Sequence, residues 1–342
     1  MKYFIDLPGH LIQEIRKVIE KSDYNTVNEF IITALENQIA MEDSEITEED
    51  LFSSTIRVPK KFSKPKEVKS SINFSEILSV KGVSDIKFYE YPEKSDLQYP
   101  RTDYEKSWLW GQINRIFPVK LAARILLNMQ QETDNSVRLG DFVSNACEIA
   151  SKFGKQIADI NKELNRSRDE KTDVALPVLG KIKSIERYKN HFLIYQRKND
   201  GILEGALGRM KFANINPDGF VRLTKAGYEF AKLVNPLIDE DMCSANTLSI
   251  EEKEFYIKFE TEHVPEEGKP IYTIDKIIFE GNHTLEAIDK EIKTIKPEWT
   301  DAVVVTQRAG TLGRMYELDL VRKTKNGINV SYFTTDFAKQ IL

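Results

Sequence analysis

Along the chain the hydrophobic positions change period several times, and each change marks an element. Residues 2–7 alternate, with Tyr3, Ile5 and Leu7 on one side and Lys2, Phe4 and Asp6 on the other, as a short strand does before Pro8 ends it. Two helical patterns follow: Leu11, Ile15, Val18 and Ile19 in the first, then Val27, Phe30, Ile31, Ala34, Leu35 and Ile39 behind an Asn25/Thr26 cap. A strand and two helices within residues 1–41 are too little to enclose a core, so the pattern predicts pairing with a second copy of the chain. Farther on, amphipathic helices are predicted over Val119–Met129, with Leu121, Ile125, Leu126 and Met129 inward, and over Glu251–Glu262, with Phe255, Tyr256 and Phe259 inward. A long polar helix is expected from about Ala150 to Arg168. Turn chemistry at Asn216-Pro217-Asp218-Gly219 and at Asn326-Gly327 predicts two hairpins, because Asn and Gly accept positive φ.

The N-terminal positions Leu7-Pro8, Leu11, Ile15, Ile19, Tyr24, Glu29-Phe30-Ile31 and Ala34-Leu35 resemble the core pattern of the ribbon-helix-helix family. That resemblance implies an intertwined dimer whose paired strands enter the major groove of DNA, with Lys2, Phe4 and Asp6 toward the bases. Lys2 suits a guanine edge, Phe4 offers only apolar contact, and Asp6 repels phosphate while at best accepting from cytosine. Residues 1–40 hold four bases (Lys2, Arg16, Lys17, Lys21) and six acids (Asp6, Glu14, Glu20, Asp23, Glu29, Glu36). The module is therefore expected to dimerise first and to read DNA second.

The second half of the chain repeats itself. Ile182-Lys183-Ser184-Ile185 recurs as Ile292-Lys293-Thr294-Ile295, Leu207-Gly208-Arg209-Met210 as Leu312-Gly313-Arg314-Met315, and Phe230-Ala231-Lys232 as Phe337-Ala338-Lys339. Gln196-Arg197 and Gln307-Arg308 fall between the first two pairs, and every match keeps its order at an offset of 105 to 111 residues. A duplicated domain is predicted, spanning 118–236 and 249–342. Each copy sets helices before a hairpin and a closing helix, and the stretch Gly219–Ala231 is similar to the wing-to-last-helix segment of the winged helix-turn-helix superfamily. That resemblance implies a helix for the major groove ahead of the hairpin, and wing residues that reach the flanking backbone. The expected fold class is mainly α with small β elements (α+β): a ribbon-helix-helix module over 1–41, a charged linker over 42–72, an aromatic connector over 73–117 (Phe88, Tyr89, Tyr91, Tyr99, Tyr104, Trp108, Trp110), then tandem winged helices.

Composition adds limits. The 342 residues are 41% hydrophobic, 30% charged and 10% aromatic, which fits a globular chain and excludes collagen-like, mucin-like and wholly disordered classes. No apolar run approaches the ~18 residues of a membrane span, and the start lacks a secretory pattern, so a cytoplasmic, membrane-free protein is expected. The net charge of −5 taken alone argues against a polyanion partner, but the charges are unevenly placed. Six acids in 42–50 give way to Arg57, Lys60, Lys61, Lys64, Lys66 and Lys69, and Lys181–Lys198 holds six bases against Glu186. The residues expected to contact DNA are Lys2, Lys60, Lys61, Lys64, Lys181, Lys183, Arg187, Lys189, Gln196, Arg197, Lys198 and Arg222 together with Gln307, Arg308, Arg314, Arg322, Lys323 and Lys325. Arg209 and Arg314 have a second possible role in packing and salt-bridging a helix end.

Catalytic signals are lacking. Phosphate-cradling, dinucleotide, zinc-protease and nucleophile-elbow motifs are absent, and Cys147, Cys243 and four scattered histidines have no metal-ligand spacing. Acid-x-Lys triplets at Asp85–Lys87, Glu251–Lys253 and Glu291–Lys293 are expected by chance in a chain this rich in Glu and Lys. The expectation is a non-enzymatic, cofactor-free homodimer that binds double-stranded DNA site-specifically as a transcriptional regulator. A replication-initiator or partition-like protein and a protein-docking subunit of a larger assembly are the alternatives.

Overall fold

The computed structural model describes residues 73–80, 86–88, 108–197, 201–326 and 329–342. The chain divides into two units, Met1–Lys66 and Glu67–Leu342, and all of these residues belong to the second. The expected ribbon-helix-helix module and charged linker lie outside the described residues. Within them the protein is mainly helical with short two-stranded antiparallel sheets, and no helix is long and apolar enough to cross a membrane.

The first half holds the one-turn α1 (Phe74–Ile77), α2 (Phe117–Glu132), α3 (Leu139–Glu163) and α4 (Ile182–His191). A hairpin of β1 (Tyr195–Gln196) and β2 (Leu203–Glu204), the one-turn α5 (Ala206–Arg209), a second hairpin of β3 (Ala213–Ile215) and β4 (Val221–Leu223), and α6 (Lys225–Lys232) complete it. The second half runs α7 (Ile250–His263), α8 (Pro265–Phe279), α9 (Leu285–Ile295), α10 (Asp301–Glu317), the hairpin β5 (Val321–Asn326) and β6 (Asn329–Thr334), and α11 (Asp336–Ile341).

The two halves share an order. In the first, α2 is followed by Arg138 in an antiparallel bridge to Phe220 beside β4; in the second, α8 is followed by Thr284 bridged to Ser331 of β6. Each bridge residue leads into a helix, α3 or α9, and each half then reaches its Leu-Gly-Arg-Met motif, its hairpin and its short last helix. Two other sequence matches are not equivalent in space, since Ile182–Ile185 opens α4 whereas Ile292–Ile295 closes α9, and Gln196-Arg197 lies at the β1–β2 hairpin whereas Gln307-Arg308 lies inside α10. Short identities in Lys- and Ile-rich helices arise without common position, so the likeness of the two halves rests on the motif, hairpin and last helix. The long polar helix also starts earlier than its polarity suggests. Phe142, Ala146, Ala150, Phe153 and Ile157 form one buried stripe from the first turn of α3, and its small alanines weaken the hydrophobic signal.

Helix α2 is buried on almost every side, including Lys120 and Arg124. Both cations serve the end of α6, where the last carbonyls of a helix lack intrahelical donors. Lys120 Nζ donates to the carbonyls of Phe230 at 2.6 Å and Leu233 at 2.7 Å, and Arg124 donates to Ala231 at 2.6 Å and Leu233 at 2.8 Å. Lys120 also pairs with Glu252 of α7 at 2.7 Å, both side chains fully buried, which ties the two halves together.

A segment before α2 crosses α10 at close range. A Cβ on Gly111 would fall 2.2 Å from the Thr306 carbonyl oxygen, and one on Gly310 would fall 2.2 Å from that of Gly111, so only glycines permit the crossing. Pro270 inside α8 lacks the N–H that would bond the Glu266 carbonyl, and Leu109 N–H donates to that oxygen instead, at 2.8 Å. One continuous hydrophobic core, from Phe74 to Ala338, runs through both halves.

Candidate nucleic-acid interface

The basic residues nominated from sequence separate into three groups. Lys2, Lys60, Lys61, Lys64 and Lys198 lie outside the described residues.

The second group is on the surface. Lys181 is the N-cap of α4, and Lys181, Lys183 and Lys189 are exposed while Arg187 is half-buried. Lys183 and Arg187 stand four residues apart and so share one helix face. Gln196 and Arg197 are exposed at the β1–β2 hairpin, where Gln196 Nε2 donates to the Gly201 carbonyl at 3.0 Å and Arg197 lies 3.5 Å from the buried Glu204. Arg222 is half-buried and donates through Nε to the Asn135 carbonyl at 3.1 Å. On the second hairpin Arg322 and Lys325 are exposed and Lys323 is half-buried. The ribbon is stiffened by stacking of cations on rings, with Arg322 5.7 Å from the Phe333 centroid and Lys323 4.9 Å from that of Tyr316. Phe333 in turn packs 4.5 Å from the His283 ring, whose Nδ1 lies 3.0 Å from the Tyr332 carbonyl oxygen.

The third group is internal and corrects the expectation that α10 presents arginines to a groove. Arg308 is 8% exposed and grips Asp289 of α9 with bonds of 2.7 and 3.2 Å. Arg314 is fully buried, holds both Glu267 carboxylate oxygens at 2.6 Å and also donates to the Ile113 carbonyl. Gln307 is half-buried with its carbonyl oxygen enclosed. What α10 exposes is Asp301, Ala302, Val303, Val305 and Ala309, an apolar face with one acid and no base. In the first half the corresponding α5 is a single turn with Ala206, Leu207 and Gly208 buried. Neither Leu-Gly-Arg-Met helix offers a cationic face.

The motif has a structural task instead. Arg209 bonds Glu266 at 3.0 Å and Glu204 at 3.2 Å, and Arg314 bonds Glu267, so the arginines of both copies end on two adjacent glutamates in the first turn of α8. Tyr256 of α7 closes the link, lying 3.2 Å from Glu267 Oε1 and 3.7 Å from the Met210 sulfur. The adjoining Glu260 is fully buried with neither carboxyl oxygen bonded. Burial foremost, and then the nearby Glu267 charge, push its pKa well above the ordinary carboxylate range, so it holds its proton. Lys120 shows the reverse effect, burial lowering its pKa to about 8 against the pull of Glu252.

Glu266 and Glu267 were missed by sequence reasoning because a Glu-Glu pair normally reads as solvated; the one clue was Pro270, which marks the first turns of α8 as irregular and packed. Likewise the triplet Glu251–Lys253 places its Glu252 and Lys253 in ion pairs with Lys120 and Asp319. No group of His, Cys, Asp and Glu among the described residues could hold a metal ion. Comparison with protein-family models, with curated proteins and with solved structures finds no match to this chain.

Proposed function

We propose that the protein is a dimeric, sequence-specific double-stranded DNA-binding protein, a transcriptional regulator that acts by occupying its site. The observation that carries this reading is the β5–β6 hairpin: two six-residue strands bear Arg322, Lys323 and Lys325, and no acid lies between Leu320 and Thr335. The shared order of helix, bridged residue, helix, motif, hairpin and short helix is that of a winged helix-turn-helix, which supports the same reading. The exposed bases of α4 add a second cationic surface to an otherwise acidic chain.

The burial of Arg308 and Arg314 shapes the mechanism. With no cationic face on either Leu-Gly-Arg-Met helix, the wing and α4 serve as backbone clamps that neutralise phosphates, and base reading falls to the paired N-terminal strands through Lys2. Dimerisation through that module would place two sets of clamps on a symmetric site. One observation favours a second reading: the exposed Val303 and Val305 on α10, 39% and 44% accessible, suit a subunit that docks on another protein.

Fluorescence anisotropy of the full chain against pooled random duplexes over a salt series, with sequencing of the retained fraction, tests both. A single enriched motif and an affinity that falls steeply with salt are expected. An inverted repeat in that motif supports the regulator, and direct repeats favour an initiator or partition role. No retention even at low salt refutes the DNA reading and leaves the docking one.

A further inference from the structure

The chain enters α4 through an apolar tip. Val178 to Lys181 form a tight turn in which the Lys181 N–H donates to the Val178 carbonyl at 3.1 Å and Gly180 supplies a φ of +83°. The Val178 N–H donates in turn to the Ser184 hydroxyl at 3.0 Å, which fastens the turn to the start of α4. Farther along the helix Tyr188 is buried and stacks on Phe192 at 5.9 Å, so the tip is carried on an anchored element. Leu179 on this turn is 49% exposed, and Ile182 at 75% is the most exposed large hydrophobic side chain among the described residues. Ile185 packs against the core, whereas Leu179 and Ile182 stand outside it. Single apolar residues on a surface are common, but two on one rigid turn form a projection.

Charge selects what that projection meets. Ile182 stands between the exposed Lys181 and Lys183, and no acid occurs from Val174 to Ile185. The exposed Glu186 follows on the next turn, where Arg187 and Lys189 outnumber it. A fitting partner sets anionic groups close around an apolar interior, as a bilayer and a stacked duplex both do. Leu179 and Ile182 together bring less apolar surface than one myristoyl chain, which alone holds a protein to a bilayer only marginally. Apolar side chains of this size do suffice to part base steps in the minor groove, where cations contact the flanking phosphates.

We propose that the Leu179–Ile182 tip is a wedge for duplex DNA, with Ile182 entering a base step from the minor groove and Lys181 and Lys183 on the phosphates beside it. The duplex then kinks toward its major groove. This inference rests on the DNA reading and adds a deformation to it, one that favours pyrimidine–purine steps such as TA, which unstack readily.

The experiment is ligase-catalysed circle formation from a duplex of about 150 base pairs rich in TA steps, one persistence length and so slow to close unaided. Full-length protein is added at low salt, and gel retardation of the same duplex reads binding. The parent protein is expected to raise the yield of circles. Ile182→Ser should return the yield to its protein-free level. Its melting temperature and its slope of log affinity against log salt should stay those of the parent, because the side chain lies outside the core and carries no charge. A bound duplex that closes no faster, or one that Ile182→Ser closes as well as the parent does, overturns the wedge and leaves the DNA reading standing. No binding at all overturns both. Sedimentation with phosphatidylserine vesicles that Ile182→Ser abolishes, without any gain in circles, overturns the wedge in favour of a lipid surface.

Discussion

Arg314 separates a structural from a DNA-contacting role for the repeated motif. Replacing it with Met keeps the length and apolar stem of the side chain but removes the paired 2.6 Å bonds to Glu267 and the bond to the Ile113 carbonyl. Glu267, itself 0% exposed, would keep only the Tyr256 hydroxyl at 3.2 Å. Breaking a buried pair from one side costs about 3–5 kcal/mol, because the remaining charge has neither water nor partner. For a folded unit of this size about 2–4 °C of melting temperature is lost per kcal/mol, so Arg314→Met should melt about 10 °C lower. Adding Glu267→Gln removes the stranded charge and should recover part of that loss. Differential scanning calorimetry of the parent, single and double variants measures both effects. A drop under about 2 °C would refute the reasoning, given the same stability scale. So would a loss of DNA affinity at unchanged stability, which would mean that Arg314 reaches a ligand.

Other expectations follow from the same geometry. Glu260→Gln keeps the shape of a carboxyl that is neutral when folded and ionised when unfolded above the ordinary carboxylate range. That raised pKa gives stability that is complete at low pH and fades as pH rises, by up to about 1.4 kcal/mol per pH unit, so the variant should unfold at higher urea than the parent at about pH 8 and lose the advantage near pH 4. An identical slope in both proteins would rule this out. Gly310→Ala puts a Cβ 2.2 Å from the Gly111 carbonyl oxygen and should cost about 3 kcal/mol or more in chemical denaturation, beyond ordinary overpacking. A change below about 1 kcal/mol would show that the crossing yields. Removing Arg322 and Lys325 together should lower the slope of log affinity against log salt by about 2, near 0.9 for each phosphate no longer neutralised. An unchanged slope takes the hairpin out of the interface.

The features that sequence revealed well were those with local causes. The Asn216–Gly219 turn forms as its residues require, Gly219 taking φ of +80° and Asn216 bonding the Phe220 amide through its side chain at 2.8 Å. The amphipathic helix expected over Glu251–Glu262 likewise forms, running from Ile250 to His263 as α7. The destination of charged side chains was far less visible. Arg308 and Arg322 are the same residue type, each near a hairpin, yet one is clasped by Asp289 from another helix and the other stands exposed over Phe333. Which of these occurs depends on packing between elements distant in sequence, which neither periodicity nor charge counts encode.

The two glutamates at the start of α8 have a bearing on how a chain with two such similar halves can change over time. Two copies joined as beads on a string can drift, be lost or be exchanged one by one. Here Arg209 of one copy and Arg314 of the other depend on neighbouring residues in a single helical turn, and Lys120 depends on Glu252 across the same seam. A chain cut between the copies would strand buried ions on both sides of the break. The pair should therefore melt in a single transition and be inherited as one block, with later divergence confined to the hairpins, the loops and the outward face of α10.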